Sequence, residues 1–196
     1  PELLPAPNAL MEISFTKLRL FLECPWKYKL RMVDGRRSEP TPASSLGHSL
    51  HRALECFHHK EAPALEDLWE CYDSRWVSFG YPSSQAQEAW RGKGRRMLAK
   101  YFEAEQDRRA LCVGIEREFV YPLGGHEVRG MIDRIDRHLD GRYELVDYKT
   151  APSQGDEPEP SRNLQMRFYA LGVLESLAIE PALLTIHYVA EARRAS

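Results

Sequence analysis

The stretch GMIDRIDRHLDGRYELVDYKT, residues 130–150, decides the fold because it holds the ends of two strands and the turn between them. Polar and apolar residues alternate along 126–139 and again along 143–150, which predicts a strand in each segment. Asp140 and Gly141 form a common sequence of a tight hairpin turn. We therefore expect the two strands to pair antiparallel around this turn.

The third of the predicted strands, 143–150, contains two charges where buried residues are expected. Side chains two positions apart share a face of a strand, and both faces here are largely apolar, as in a central strand. One face carries Tyr143, Leu145, Asp147 and Lys149, and the other carries Glu144, Val146 and Tyr148. Asp147 and Lys149 therefore project together near the end of the strand.

The preceding strand repeats this pattern, because Asp133 lies between Met131 and Ile135 on one face. Pairing outward from the turn brings Asp133 roughly opposite the region of Asp147 to Lys149. A bulge or a slip of one or two positions remains open, since the turn alone does not fix the register. The alternative is structural: a strand-end ion pair for Asp147 with Lys149, and a local hydrogen bond for Asp133.

Two carboxylates in a half-buried site repel each other, and burying them without partners costs free energy. Mg²⁺ binds carboxylate oxygens and leaves positions for water and a substrate phosphate. Such an ion can polarise a phosphoryl oxygen and lower the pKa of a bound water, while a lysine can orient that water and stabilise developing negative charge. The set of Asp133, Asp147 and Lys149 thus indicates phosphodiester hydrolysis.

The other segments predict an α/β fold with a central mixed sheet flanked by helices. Helices are expected at 13–30, 44–60, 65–79, 84–106 and 164–177 from apolar spacing, with Ser14 or Thr16 capping the first and Pro25 kinking or restarting it. Strands are expected at 112–123 and 183–192, so the sheet is a three-stranded meander plus a further strand. We expect one domain over 1–196, mainly helical over 13–110, with the sheet core over 112–192.

Composition narrows the class of protein. The chain has 196 residues, 43% of them hydrophobic and 29% charged, with a net charge of −2. Proteins that coat nucleic acid non-specifically are usually basic, so a local patch or a metal ion would be needed here. The longest apolar stretches are too short to span a membrane, and no signal peptide is evident. The four cysteines lack C-x-x-C spacing and are expected to be reduced thiols in a cytoplasmic protein.

With these motifs in place, GMIDRID…ELVDYKT resembles the PD-(D/E)XK nuclease motif in the form found in RecB-type exonucleases. SFTKLRLFLECPWKYKLRMV resembles the opening segment of that family. LGHSLHRALE is similar to its Gly-x-x-x-His helix, with Gly47 and His51 at the matching positions, and QMRFYAL is similar to its Gln-x-x-x-Tyr helix, with Gln165 and Tyr169. The resemblance implies a restriction-endonuclease-like core with an N-terminal helical lobe.

The resemblance also implies roles for individual residues. His51, Asp133, Asp147 and the backbone carbonyl of Tyr148 would bind Mg²⁺ or Mn²⁺, and Lys149 would be the catalytic lysine. Gln165 and Tyr169, one helical turn apart, would face the site and contact DNA or a water on the metal. Either Glu116 or Glu118 would add a carboxylate outside the direct ligands. A structural histidine is the alternative for His51, and packing residues are the alternative for Gln165 and Tyr169.

Iron–sulfur members of this group use a cysteine at the position of Cys24 and three more near the C-terminus. No cysteine follows Cys112, so a four-cysteine iron–sulfur cluster is not possible within this chain. Either the protein lacks the cluster or a C-terminal segment is absent from the sequence.

The function expected from the resemblance is a metal-dependent DNA nuclease, an exonuclease on single-stranded DNA ends in DNA repair or recombination. Its expected partners are single-stranded DNA and a helicase or recombination protein, with no membrane partner. Two alternatives stay open: a non-catalytic DNA-binding scaffold within a helicase–nuclease complex, and a structure-specific endonuclease of the same fold. The segment RGKGRR, 91–96, would suit either a DNA backbone contact or a solvated helix face.

Overall fold

A computed structural model describes residues 10–61, 63–153, 155 and 158–196 of the chain. The elements in chain order are β1 Glu12–Ile13, α1 Phe15–Glu23, α2 Pro25–Tyr28, α3 Pro42–His58, α4 Leu65–Ser74, α5 Ser84–Glu105, β2 Leu111–Leu123, β3 His126–Arg137, β4 Tyr143–Lys149, α6 Leu164–Leu177, β5 Pro181–Tyr188 and β6 Arg193–Ala195. A π-helical turn, Lys29–Val33, continues α2, and a 3₁₀ turn, Pro160–Arg162, precedes α6.

The sheet of the described residues has six strands and is organised around β3. Strand β2 pairs antiparallel with the whole length of β3. The other edge of β3 is shared, because β4 pairs antiparallel with Arg134–Arg137 and β1 pairs parallel with Glu127 and Val128. Strand β4 pairs parallel with β5, which pairs antiparallel with β6. This mixed sheet flanked by helices confirms the predicted restriction-endonuclease-like α/β class.

Each face of the sheet buries its own hydrophobic cluster. On one face, helices α3, α4 and α5 cover Val146 and Tyr148 of β4. On the opposite face, α6 covers Ile135 of β3 and Leu145 of β4. The predicted alternation of β4 is therefore correct, since its neighbouring residues enter different clusters.

The cluster under α6 contains a close contact between a helix, a ring and a strand. Phe119 of β2 is 1% exposed, and its ring lies between Gly130 of β3 and Gly172 of α6. A Cβ atom at Gly172 would lie 2.2 Å from Cε2 of this ring, and one at Gly130 would lie 2.3 Å from Cζ. The two glycines therefore let α6 approach the sheet as closely as the ring allows.

The face under α3–α5 also buries charged groups. The Arg134 guanidinium donates to Glu105 at 2.9 Å and to Asp136 at 2.7 Å. His187 of β5 is fully buried beside them, with Nδ1 3.7 Å from Oε1 of Glu105. Neither ring nitrogen of His187 has a hydrogen-bond partner among the described residues. Burial lowers the pKa of His187 to about 4, so the ring is neutral at pH 7.

The helix predicted over 13–30 is two helices. Ser14 caps α1, because its side chain accepts a hydrogen bond from the backbone N–H of Lys17. Cys24 is extended between α1 and α2, as expected for a residue that precedes a proline. Pro25 then occupies the first position of α2, where its missing N–H costs nothing. Of the two outcomes predicted for Pro25, a kink or a restart, the structure shows the restart.

Three other element boundaries differ from the prediction. Helix α3 begins at Pro42 because Thr41 and Ser44 form a reciprocal capping box. Helix α4 ends at Ser74 rather than 79, since the backbone N–H of Val77 is bonded to Oγ of Ser49 in α3. The strand predicted over 183–192 ends at Tyr188, and the chain turns back to form β6.

The expectation of four reduced thiols is wrong for two of them. Cys56 of α3 and Cys71 of α4 form a disulfide, with Cα atoms 5.7 Å apart, because the two helices pack side by side. Cys24 and Cys112 are free. Among the helices described, none has the length and apolar character needed to cross a membrane.

Candidate active site

The predicted site residues meet where the end of β4 lies beside the middle of β3, and α3 and α6 converge at the same place. Arg134 pairs with Val146, so the same register places Asp133 across from Asp147. The backbone N–H of Tyr148 donates to Oδ2 of Asp133 at 2.7 Å. The expectation that Asp133 lies opposite the region of Asp147 to Lys149 is thus confirmed, without a slip in register between these two strands.

Three residues from three elements offer ligand atoms for one cation. His51 of α3, Glu116 of β2 and Asp133 of β3 each place one ligand atom within 4.8 Å of the others. Nδ1 of His51 lies 3.5 Å from Oδ1 of Asp133. Imidazole nitrogen and carboxylate oxygen are both ligands of divalent metals, so the donors present fit a metal ion.

The electrostatics of this group favour a bound cation. Burial, and then the charge of Asp133, raise the pKa of Glu116 to about 7. Burial and the same neighbour raise the pKa of Asp147. For His51, burial acts against protonation, but the hydrogen bond and charge of Asp133 outweigh it and raise the pKa. The carboxylates of Glu116 and Asp147 are thus costly to ionise, and a divalent cation would remove that cost.

A second group of side chains forms a continuous hydrogen-bonded chain next to the carboxylates. Nζ of Lys149 lies 2.6 Å from Oδ2 of Asp147 and donates to Oε1 of Gln165 at 2.8 Å. The amide nitrogen of Gln165 donates to Oδ1 of Asp147 at 3.0 Å and to the hydroxyl oxygen of Tyr169 at 2.7 Å. Asp147 is almost fully buried, whereas 37% of the Lys149 side chain is exposed, so the ammonium is accessible to a substrate.

The start of α6 positions Gln165 and Tyr169. The side chain of Asn163 caps the helix by accepting the backbone N–H of Gln165 and of Met166. Met166 is completely buried in the cluster beneath, which fixes the rotation of the helix. Gln165 and Tyr169 are consequently held on the face that meets β4.

Gly47, four residues before His51, lies where a larger side chain would crowd the end of β4. A Cβ atom at Gly47 would lie 3.1 Å from Oγ1 of Thr150, the residue that follows β4. The glycine lets α3 pass close to the end of the strand that carries Lys149. His51, one turn further along α3, then reaches the carboxylate of Asp133.

The structure shows which of Glu116 and Glu118 lies at the candidate metal site, a choice that the sequence left open. Glu116 joins His51 and Asp133, whereas Glu118 is exposed. Glu116 has a φ of 43°, a left-handed conformation that is unusual for a non-glycine residue within a strand. The group of three ligand atoms does not include Asp147, whose oxygens contact Lys149 and Gln165. Metal ligation by Asp147 and by the Tyr148 carbonyl remains a prediction.

A mixed sheet with an aspartate on each of two adjacent strands, and a lysine two residues after the second, is the arrangement of a restriction-endonuclease-like α/β protein. The sequence profile of the PD-(D/E)XK nuclease superfamily matches residues 12–194. The chain belongs to this superfamily. Its members are generally metal-dependent nucleases that use divalent ions, typically Mg²⁺.

Comparisons with curated proteins and with solved structures do not narrow the function further. None of the curated proteins compared with the chain matches it. Among solved structures, the crystal structure of protein VC1899 from Vibrio cholerae matches with a TM-score of 0.30 and 11% sequence identity. That match covers 90% of this chain and 48% of the other, so the chain spans about half the length of that protein.

Proposed function

We propose that this protein is a RecB-type exonuclease that hydrolyses single-stranded DNA ends with Mg²⁺ or Mn²⁺. The observation that carries the proposal is the position of Lys149, which contacts both Asp147 and Gln165 beside the group of His51, Glu116 and Asp133. Its proposed setting is DNA repair or recombination in the cytoplasm, in association with a helicase or recombination protein.

The residues fall into two groups: those that would bind the metal ion and those that would act on the substrate. His51, Asp133 and Asp147, with the backbone carbonyl of Tyr148, would hold the ion, and Glu116 would add a carboxylate. When bound, the ion supplies Lewis-acid activation of the phosphodiester and of water. Lys149, whose ammonium lies 2.6 Å from the carboxylate of Asp147, would act on the substrate beside the ion.

Lys149 would stabilise the charge that develops on the phosphoryl oxygens. An ammonium group has three N–H donors. One donates to Gln165, and a second is on the side of Asp147, whose Oδ2 lies 2.6 Å from the nitrogen. The third can donate to a phosphoryl oxygen or orient the attacking water. Gln165 would keep Lys149 at this position, because the amide contacts both members of the ion pair, and Tyr169 would fix the orientation of that amide.

The test is digestion of end-labelled linear single-stranded DNA with Mg²⁺ or Mn²⁺, beside EDTA and a Lys149→Ala variant. Lys100→Ala is the matched control, since Lys100 is exposed on α5 and makes no ion pair within the part of the chain described. We expect metal-dependent cleavage in the wild type and in Lys100→Ala, with a loss of at least 100-fold in Lys149→Ala. The ladder of products would also give the polarity.

Two outcomes would contradict the proposal. If the folded wild type binds DNA but cleaves none with either metal, the scaffold function would replace it. If covalently closed circular single strands are cleaved as fast as linear ones, the enzyme is an endonuclease rather than an exonuclease.

A further inference from the structure

Positive charge is concentrated in one segment near the N-terminus. We call residues 13–37, which include α1, α2 and the π-helical turn, the basic arm. The arm has seven basic residues and two acidic ones, which gives it a net charge of +5 in a chain whose net charge is −2. The basic residues are Lys17, Arg19, Lys27, Lys29, Arg31, Arg36 and Arg37, and the acidic residues are Glu23 and Asp34. Such separation creates a local attraction for anions that the total charge conceals.

The arginines of the basic arm, unlike its lysines, are available to bind an anionic partner. The three lysines each pair with a nearby carboxylate: Lys17 with Glu12, Lys27 with Glu23 and Lys29 with Asp34. The four arginines are exposed, and none forms an ion pair within the described residues. Arginine is the side chain best suited to phosphate, because its planar guanidinium can donate two parallel hydrogen bonds.

The same arm exposes apolar and aromatic side chains that would ordinarily be buried. Trp26 is 60% exposed, Leu22 61% and Phe21 42%. The ammonium of Lys29 lies 5.4 Å from the centre of the Trp26 ring, and Phe21 packs edge-to-face on Tyr28. Exposed aromatic rings among unpaired cations are the usual surface for single-stranded nucleic acid, in which unpaired bases stack on the rings.

A groove connects the arm with the candidate active site. It has a volume of about 450 Å³ and is lined by Phe15, Arg19, Leu22 and Glu23 of α1 and by Asn163, Leu164 and Gln165 at the start of α6. The carboxylate of Glu23 is neutralised by its ion pair with Lys27. Gln165 is the residue whose amide contacts Lys149 and Asp147. A strand that leaves Lys149 along this groove would pass Arg19 and Leu22 of the basic arm.

We propose that the basic arm binds the single-stranded DNA that flanks the scissile phosphodiester, with Arg19 on a phosphate and Trp26 stacked on a base. This inference rests on the proposed nuclease function, since it assigns the path of the same substrate. Duplex DNA fits the arm less well, because its bases are stacked on each other and cannot cover Trp26.

The test measures the affinity of the full chain for fluorescein-labelled dT15 by fluorescence anisotropy, in EDTA so that no strand is cut. Trp26→Ala is expected to weaken binding about five- to 150-fold, the usual range for losing one base-stacking contact. Arg19→Ala is expected to weaken binding and to reduce the slope of log affinity against log salt by about 0.7, the value for one phosphate contact on a single strand. Trp26→Ala should leave that slope unchanged.

Two control variants match these changes elsewhere on the surface. Leu139→Ala truncates a side chain that is 78% exposed in the β3–β4 turn. Arg137→Ala removes an exposed arginine at the end of β3 that has no ion pair among the described residues. Both controls should bind dT15 as the wild type does, and melting curves of all four variants would show that they are folded.

Several results would overturn the proposal. Wild-type affinity in both Arg19→Ala and Trp26→Ala would place the strand elsewhere, although the nuclease function could still hold. Binding of a 15-base-pair duplex more tightly than dT15, or binding of phosphatidylserine vesicles through the arm without binding of dT15, would assign the arm to another partner. Arm-dependent binding of dT15 without any cleavage in Mg²⁺ or Mn²⁺ would refute the proposed enzyme and would leave the arm as a binding site for single strands only.

Discussion

Replacing Gly172 by alanine should destabilise the protein, although alanine is the better helix former. The added Cβ would lie 2.2, 2.3 and 2.6 Å from three atoms of the Phe119 ring, whereas carbon atoms in contact are separated by about 3.5–4.0 Å. The ring would have to move by about 1 Å or more, and Gly130 closes its other side. Helix α6 would therefore have to move away from the sheet.

The magnitude follows from two opposing effects. Overpacking a closed site costs about 1–3 kcal/mol, and the upper end applies because the ring is confined on both sides. Alanine recovers about 1 kcal/mol of helix propensity. We expect the free energy of unfolding to fall by about 2 kcal/mol, which lowers the melting temperature by about 4–8 °C in a chain of this size. Nuclease activity should fall as well, because α6 carries Gln165 and Tyr169.

Urea unfolding followed by circular dichroism would measure the change, with Gly92→Ala in α5 as the matched control. A Cβ at Gly92 meets its nearest atom, on the flexible Arg96 side chain, at 3.5 Å, so this variant should be as stable as the wild type or more so. Phe119→Leu should lower the free energy of unfolding less in the Gly172→Ala background than in the wild type, because the smaller side chain relieves the clash with the added Cβ. A Gly172→Ala protein as stable as the wild type, or strictly additive effects in the double variant, would refute the steric argument.

Three other predictions concern the disulfide, a buried histidine and the metal group. Replacing both Cys56 and Cys71 by serine should lower the free energy of unfolding by about 3 kcal/mol, because the disulfide joins residues 15 positions apart and restricts the unfolded chain. In a thiol titration, the denatured but unreduced wild type should show two free thiols. Four free thiols would contradict the disulfide. His187 has a lowered pKa in the folded state, so the unfolded state takes up its proton first as the pH falls below about 6.5. Between pH 7 and 5 the wild type should therefore lose on the order of 1–2 kcal/mol more stability than a His187→Leu variant, as read from urea unfolding at both pH values; equal losses would show that the ring is not buried as a neutral group. Glu116→Gln should weaken Mg²⁺ affinity at least about tenfold. Calorimetry would measure the affinity, with Glu118→Gln as the control that should bind as the wild type does. Equal affinity in the two variants would show that Glu116 is not a metal ligand.

The alternation of side chains along strands made much of the site predictable. A charge at Asp133, Asp147 or Lys149 stands out because its neighbours two positions away on the same face are apolar. The turn at Asp140 and Gly141 indicates which strands pair, so the sequence brings Asp133 to the region of Asp147 to Lys149. The exact register, with Asp133 across from Asp147, comes from the structure. Periodicity and capping residues located the helices, although not all of their ends, and Pro25 marked the point at which the first helix kinks or restarts.

Other features depend on contacts that no local pattern encodes. The left-handed backbone of Glu116 brings its carboxylate to His51, and nothing in the sequence distinguishes it from Glu118. The pairing of Cys56 with Cys71 depends on how α3 packs on α4. The end of α4 at Ser74 depends on a hydrogen bond to Ser49, which is distant in sequence. In each case tertiary structure determines the outcome that local propensity leaves open.

The two hydrophobic clusters on opposite faces of the sheet have a consequence for the timing of synthesis. His51 belongs to the helices packed on one face, and Gln165 belongs to the helix packed on the other. The ribosome makes the first of these residues more than a hundred positions before the second. A growing chain therefore lacks a complete set of candidate catalytic groups until residue 165 has been made, and a product with only the first of the two layers folded would lack Gln165 and Tyr169.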